Sequence, residues 1–167
     1  MNEIQGHDAA HEDTDGRAQY LTFTLGGEEY GVEILRVQEI KGYSTVTSIP
    51  NSPPYVKGVM NLRGTVVPIL DMRLKFGMEA RDHDRFTVIV VVNVGTKVVG
   101  LIVDAVSDVL DIPAGAVEPA PDLGASVDTS IMRGIARNND RLITLLDIDR
   151  VVDMDGTPAR VPLDAAA

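Results

Sequence analysis

The sequence predicts an all-β protein with short helices, in which one arrangement of strands is used twice. Valine is the most frequent apolar residue, aromatic residues make up only 4% and tryptophan is absent, a balance that favours strands. The apolar runs are short, alternate with polar residues and are punctuated by glycine and proline. Above all, the chain repeats itself. Gly58-Val59-Met60-Asn61-Leu62-Arg63-Gly64-Thr65-Val66-Val67-Pro68-Ile69-Leu70-Asp71 recurs as Gly134 to Asp147, with 134 − 58 = 76 and 147 − 71 = 76. Upstream, Leu25-Gly26 matches Val94-Gly95, Tyr30-Gly31-Val32 matches Val99-Gly100-Leu101, and Val37-Gln38-Glu39-Ile40 matches Val106-Ser107-Asp108-Val109. There the offset is 69, from 95 − 26 and 106 − 37, and Pro50 and Pro119 keep the same register. The step from 69 to 76 places seven extra residues in the second copy's middle loop, within 121–133.

Taken in order, residues 1–18 are polar and acidic without apolar periodicity, which predicts a disordered tail. Tyr20 to Leu25 alternates as a strand, Gly26-Gly27 turns it, and Glu29 to Val37 runs back as a second. The Gly58–Asp71 stretch is a hairpin turning at Arg63-Gly64, and its second copy turns at Asn139-Asp140. Asp71 and Asp147 each precede a short helical pattern, 72–76 and 148–152, and are placed to accept its free amide hydrogens as N-caps. A polar linker, 76–85, joins the copies. Four or five short strands per copy cannot form an open flat sheet without exposed edges, so a small closed barrel per unit is the economical solution. The folded part is expected over 19–155, divided into subdomains of about 20–80 and 85–153, with 156–167 a flexible tail.

The formal charge of −10 argues against nucleic-acid or anionic-membrane surfaces, which demand clustered cations. With no cysteine, disulfides and thiol chemistry are excluded. The N-terminus lacks a basic segment and an apolar core, and the longest apolar run is far below the ~20 residues of a spanning helix, so a soluble cytosolic protein is expected. His7 and His11 have a metal-compatible spacing with nothing to build a helix around them. His83 between Asp82 and Asp84, and the Glu28-Glu29 pair, read as solvated charge. There is no phosphate-binding loop and no nucleophile–base pattern. No catalytic residue, cofactor or metal is predicted, and the sequence points to a binding module.

Arg63 stands out. Where the second copy has Asn139, a residue that tolerates a turn cheaply, the first carries a long cation that turn chemistry alone would not select. Glu39 is the expected neighbour on the same face.

Asn61-Leu62-Arg63-Gly64 followed by Val66-Val67-Pro68-Ile69-Leu70-Asp71 resembles the CheW family of bacterial chemotaxis coupling proteins. Tyr30-Gly31-Val32, Ile34, Val37 to Ile40, Ile49-Pro50, Lys57-Gly58, Val99 to Leu101 and Val103 to Val109 carry the same likeness, over about Tyr20 to Val152. The resemblance implies two interlocked SH3-like five-stranded β-barrels. It further implies a cytoplasmic, non-enzymatic adaptor that links methyl-accepting chemoreceptors to the regulatory domain of the histidine kinase CheA. By this resemblance Val37, Glu39, Lys57, Gly58 and Arg63 belong to the receptor-side and coupling surface, and Asn61 to the residues that bind receptor or kinase. Val99, Gly100, Val103 and Val106 line the groove between barrels or the kinase interface, with strand core as their other reading. Pro53-Pro54 and the acidic N-terminal tail depart from the family pattern. The competing function is a ligand-binding or enzymatic barrel that uses the groove between the barrels.

Overall fold

The computed structural model describes residues 17–119 and 131–153. The expectations for 1–16, for His7 and His11, for most of the loop insertion (121–130) and for the C-terminal tail lie outside the described residues. Eleven strands and two short helices follow in order: β1 (Arg17–Leu25), β2 (Glu28–Glu33), β3 (Val37–Gly42), β4 (Val56–Leu62), β5 (Thr65–Asp71), α1 (Met72–Lys75), β6 (Val88–Val94), β7 (Lys97–Val103), β8 (Ala105–Pro113), β9 (Val117–Glu118), β10 (Met132–Asn138), β11 (Arg141–Leu146) and α2 (Ile148–Asp153). Strand β1 already begins at Arg17, two residues inside the predicted tail.

The repeat is real in structure, but its strands are exchanged. One sheet runs β8-β1-β2-β11-β10-β9 and the other β3-β6-β7-β5-β4. The first hairpin of each repeat therefore sits inside the sheet formed by the later strands of the other. The expectation that each unit closes its own barrel is corrected accordingly. Two parallel seams make the exchange, Gly31 opposite Leu145 (β2–β11) and Gly100 opposite Ile69 (β7–β5). They are the same contact in both repeats, since 31 + 69 = 100 and 69 + 76 = 145.

The chain reaches the second sheet by breaking the strand predicted over 29–37. Ile34–Arg36 form a 3-10 turn closed by the Val37 N–H donating to the Ile34 carbonyl, after which β3 pairs with β6. In the second repeat the crossover is at Asp104, between β7 and β8.

Each sheet curls over an apolar cluster of its own. Leu62, Val67, Ile69, Ile89, Val91 and Ile102 fill one, and Tyr20, Ile112, Ala136, Ile143 and Leu145 fill the other. A third and larger cluster lies between the sheets and draws on both, with Leu21, Phe23 and Leu146 from one and Leu70, Val90 and Leu101 from the other. Burying one such side chain contributes about 1.5–3 kcal/mol, so neither sheet keeps its stability without its partner. The edge strands of each sheet do not pair with each other, so both curls are barrel-like without a closed ladder.

Both predicted N-caps form. Asp71 accepts from the backbone N–H of Arg73 (3.0 Å) and Leu74 (3.4 Å), and Asp147 from that of Arg150 (3.3 Å).

Gly58 is needed for a close backbone approach. A Cβ there would lie 2.0 Å from the Thr47 carbonyl oxygen, at φ +148°. The loop residue Thr47 bridges to Val59 at this bulge, as Glu118 bridges to Ile135 beside Gly134. Gly58→Ala should therefore cost on the order of 2–4 kcal/mol in chemical denaturation. Gly42→Ala, where an added Cβ meets nothing within 4 Å, should stay within about 0.5 kcal/mol of the parent.

Candidate functional site

The turn between β4 and β5 places Arg63 and Gly64 at φ 51° and 90°, in the left-handed region. Asn139 occupies the equivalent place at φ 60°. Asparagine adopts that conformation readily, whereas arginine there costs roughly 1 kcal/mol. The turn is held by Asn61, whose Oδ1 accepts from the Gly64 N–H at 2.8 Å, so Asn61 positions the tip.

From this tip the Arg63 guanidinium forms an ion pair with Glu39 on β3. Strands β3 and β4 are opposite ends of one sheet, so the pair spans the opening of the curl. Arg63 holds the Glu39 carboxyl below its ordinary range, first by hydrogen bonding and then by charge. Two-thirds of the Arg63 side chain (67%) nonetheless remains exposed, leaving most of its five N–H donors available.

The other sheet holds the corresponding carboxylate differently. Asp108 on β8 is the counterpart of Glu39, since 39 + 69 = 108. Its partner is Arg141 on β11, two residues beyond the Asn139 turn, with Nη2 at 3.2 Å from Asp108 and 2.8 Å from Glu29. Arg141 is therefore engaged by two carboxylates, and its own acidity is weakened by hydrogen bonds to Glu29 and Asp108. The first repeat instead puts its arginine on the strained turn, paired once and facing solvent.

The other sequence-selected residues divide by burial. Val37 and Val106, equivalent by the 69 offset, are half-buried at the rim of the shared core. Lys57 is half-buried beside Gly58. Val99 and Val103 are buried in the shared core, 2% and 1% exposed, and a Cβ on Gly100 would lie 2.6 Å from Ile69 Cδ1. The structure gives these three packing roles and no surface. Sequence reasoning missed the exposed apolar residues Ile40 (42%) and Val66 (63%), which adjoin Glu39 and the Arg63 turn. Their counterparts Val109 and Leu142 are exposed too, a recurrence at 40 + 69 and 66 + 76 that the repeat alignment already contains.

The linker lies strapped across the fold by Asp104. Arg73 donates to it through Nε and Nη2, both at 2.9 Å, and Arg81 Nη1 and the Gly26 N–H add 3.3 and 2.9 Å contacts. Burial alone would raise this carboxyl, but the Arg73 and Gly26 hydrogen bonds outweigh it and the net shift is downward. A polar recess lined by Asp71, Arg73, Arg81, Asp82, His83, Thr87, Ile102 and Asp104 lies there. Its arginines and Asp104 are committed to one another, and His83 packs against Tyr43 with the rings tilted by 44° and their centroids 3.9 Å apart.

An exposed arginine on a rigid turn, an acidic partner and flanking apolar residues define a protein-binding scaffold. A match to the CheW-like domain covers residues 19–156, and the chain belongs to the CheW family, a family of non-enzymatic chemotaxis adaptors. It is 45% identical over 137 residues to the chemotaxis protein CheW of Klebsiella aerogenes, covering 82% of each. To the chemotaxis protein CheW of Rhizobium meliloti it is 40% identical, over 86% of this chain and 92% of the relative. The crystal structure of the scaffolding protein TtCheW from Thermoanaerobacter tengcongensis superposes with a TM-score of 0.77 at 31% identity, over 84% of this chain and 96% of that one. The enzymatic alternative finds no support in these relatives. Among the described residues no helix is long and apolar enough to cross a membrane.

Arg63→Asn should leave stability within about 0.5 kcal/mol, because relief of the left-handed turn offsets the loss of an exposed ion pair. In the same variant the Glu39 carboxyl should titrate closer to its ordinary value of 4.5, as followed by side-chain NMR. The sign follows from linkage: a depressed carboxyl stabilises the fold above its unfolded pKa and loses that contribution as pH falls through the folded pKa. The variant's stability should accordingly depend less on pH below about 4.5 than the parent's.

Proposed function

We propose that this chain acts in the cytoplasm as the coupling protein of a chemotaxis array, joining the cytoplasmic tips of transmembrane chemoreceptors to the regulatory domain of the histidine kinase CheA. The observation that carries this reading is Arg63, an arginine kept on a left-handed turn with most of its guanidinium exposed. A position that asparagine would fill at lower conformational cost is used for a planar, multiply donating cation suited to carboxylates and backbone carbonyls. Glu39 aims it, Asn61 fixes the turn that carries it, and Gly58 allows the neighbouring loop to approach. Val37, Lys57 and the exposed Ile40 and Val66 complete the receptor-side face around it.

The kinase is assigned to the second repeat. Val106 is the sequence-selected residue there with surface to offer, while Val99 and Val103 act from beneath through the shared core and Gly100 through the five-stranded sheet's own cluster. The adaptor's work is then geometric: it holds two partners at a fixed relative position through one cooperative body.

Arg63→Asn should weaken binding to a soluble receptor cytoplasmic fragment by roughly 2 kcal/mol, about thirtyfold, as expected of a hot-spot arginine. Coupled kinase activation in reconstituted arrays should fall with it. Titration calorimetry checks the binding and a kinase assay on the reconstituted array checks the activation, and unchanged affinity for receptor and kinase would remove Arg63 from the face.

A further inference from the structure

At both crossovers, where the chain leaves one sheet for the other, a side chain is clasped to the terminal helix of the opposite repeat. Asp104, between β7 and β8, holds Arg73 of α1. Arg36, in the turn between β2 and β3, holds Asp149 of α2. The helix positions are equivalent, 73 + 76 = 149, but the charges are reversed.

The two clasps differ in strength. Both pairs are joined by two hydrogen bonds, but Asp104 and Arg73 are only 13% and 16% exposed, and Asp104 has further donors in Arg81 and the Gly26 N–H. Arg36 and Asp149 are 27% and 52% exposed, and beyond Asp149 Arg36 makes a 3.0 Å bond from Nε to the Asn93 carbonyl of β6. That contact lies next to Val92, which pairs with Val37, the first residue of β3. Between Val37 and Glu39 the register of β3 slips against β6. The direction in which Glu39 leaves the strand is thus fixed by how β3 starts, and Arg36 fixes that start from two sides.

We infer that Arg36 is a positioning residue for the Val37–Glu39–Arg63 face, and that its ion pair with Asp149 ties this face to helix α2 of the second repeat. The inference rests on the receptor-side reading of that face. The more exposed clasp is the one beside the face, so a change at α2 reaches Glu39 through a single ion pair.

A double-mutant cycle tests it, with Arg36→Ala, Asp149→Ala and their combination in the full chain, titrated against a soluble chemoreceptor cytoplasmic fragment. Each single change should weaken receptor binding about five- to tenfold, and the double should be no weaker than the worse single. Affinity for the kinase regulatory domain should stay within about twofold. The charge-exchanged pair Arg36→Asp with Asp149→Arg should recover part of the loss, which a general packing defect would not. Single variants within twofold of the parent, losses that multiply in the double, or equal losses for both partners would overturn the inference. Arg63→Asn is run in parallel. If it weakens receptor binding while Arg36→Ala does not, the coupling face stands and the positioning role fails. If Arg63→Asn changes nothing, the receptor-side reading itself fails and takes the positioning role with it.

Discussion

Where β5 runs beside β7, Gly100 lies opposite Ile69 with no room for a side chain, and Gly31 repeats the arrangement opposite Leu145. These parallel seams let each repeat lend its first hairpin to the other sheet. Everything that places the candidate face depends on them. Strand β3, which carries Val37 and Glu39, belongs to the first repeat but pairs only with β6 of the second. The hairpin that carries Arg63 is joined to β7 of the second repeat through β5. The Arg63–Glu39 pair thus connects two first-repeat segments held apart by a second-repeat hairpin. Its geometry is set by the shared core, where Leu70, Val90 and Leu101 are fully buried.

The two repeats also show how one scaffold divides stability from recognition. In each sheet an arginine and a carboxylate tie together segments that no hydrogen-bond ladder joins, β3 to the β4–β5 turn in one and β8 to β11 in the other. Arg141 does so from a strand position, embraced by Glu29 and Asp108, while asparagine takes the strained turn. Arg63 does so from the turn itself, accepting left-handed backbone and leaving donors exposed. An exposed ion pair contributes little to stability, so the Arg141 arrangement is the better fold and the Arg63 arrangement the better binding surface. The exposed pairs Ile40–Val66 and Val109–Leu142 recur in step with these closures.

Much of this was legible in the chain. The fixed offsets revealed the duplication because every β-strand keeps its alternation whichever partner it pairs with. For the same reason they could not reveal the exchange: Leu21 and Val90 read as inward residues of a strand within their own repeat or across. The 3-10 turn at Ile34–Arg36 was hidden because Ile34 and Leu35 continue the apolar character of β2 and β3. The pairing of Arg63 with Glu39 is legible, because a cation in a turn position contradicts local preference and asks for a partner. Gly100 and Gly58 looked like surface determinants, yet one answers a side-chain contact and the other a backbone contact across the fold. The Arg36–Asp149 clasp was invisible, since its partners lie 113 residues apart and the equivalent clasp carries the opposite charges.

Strand exchange through a shared core makes the two sheets one cooperative body, and native-state hydrogen exchange tests that claim most directly. The amides of Leu21 to Phe23 in β1 and of Val90 to Val92 in β6 lie in different sheets and different repeats. They should open with a single common free energy equal to that of global unfolding. Two distinct opening energies, with either sheet or either repeat exchanging while the other stays protected, would contradict the account.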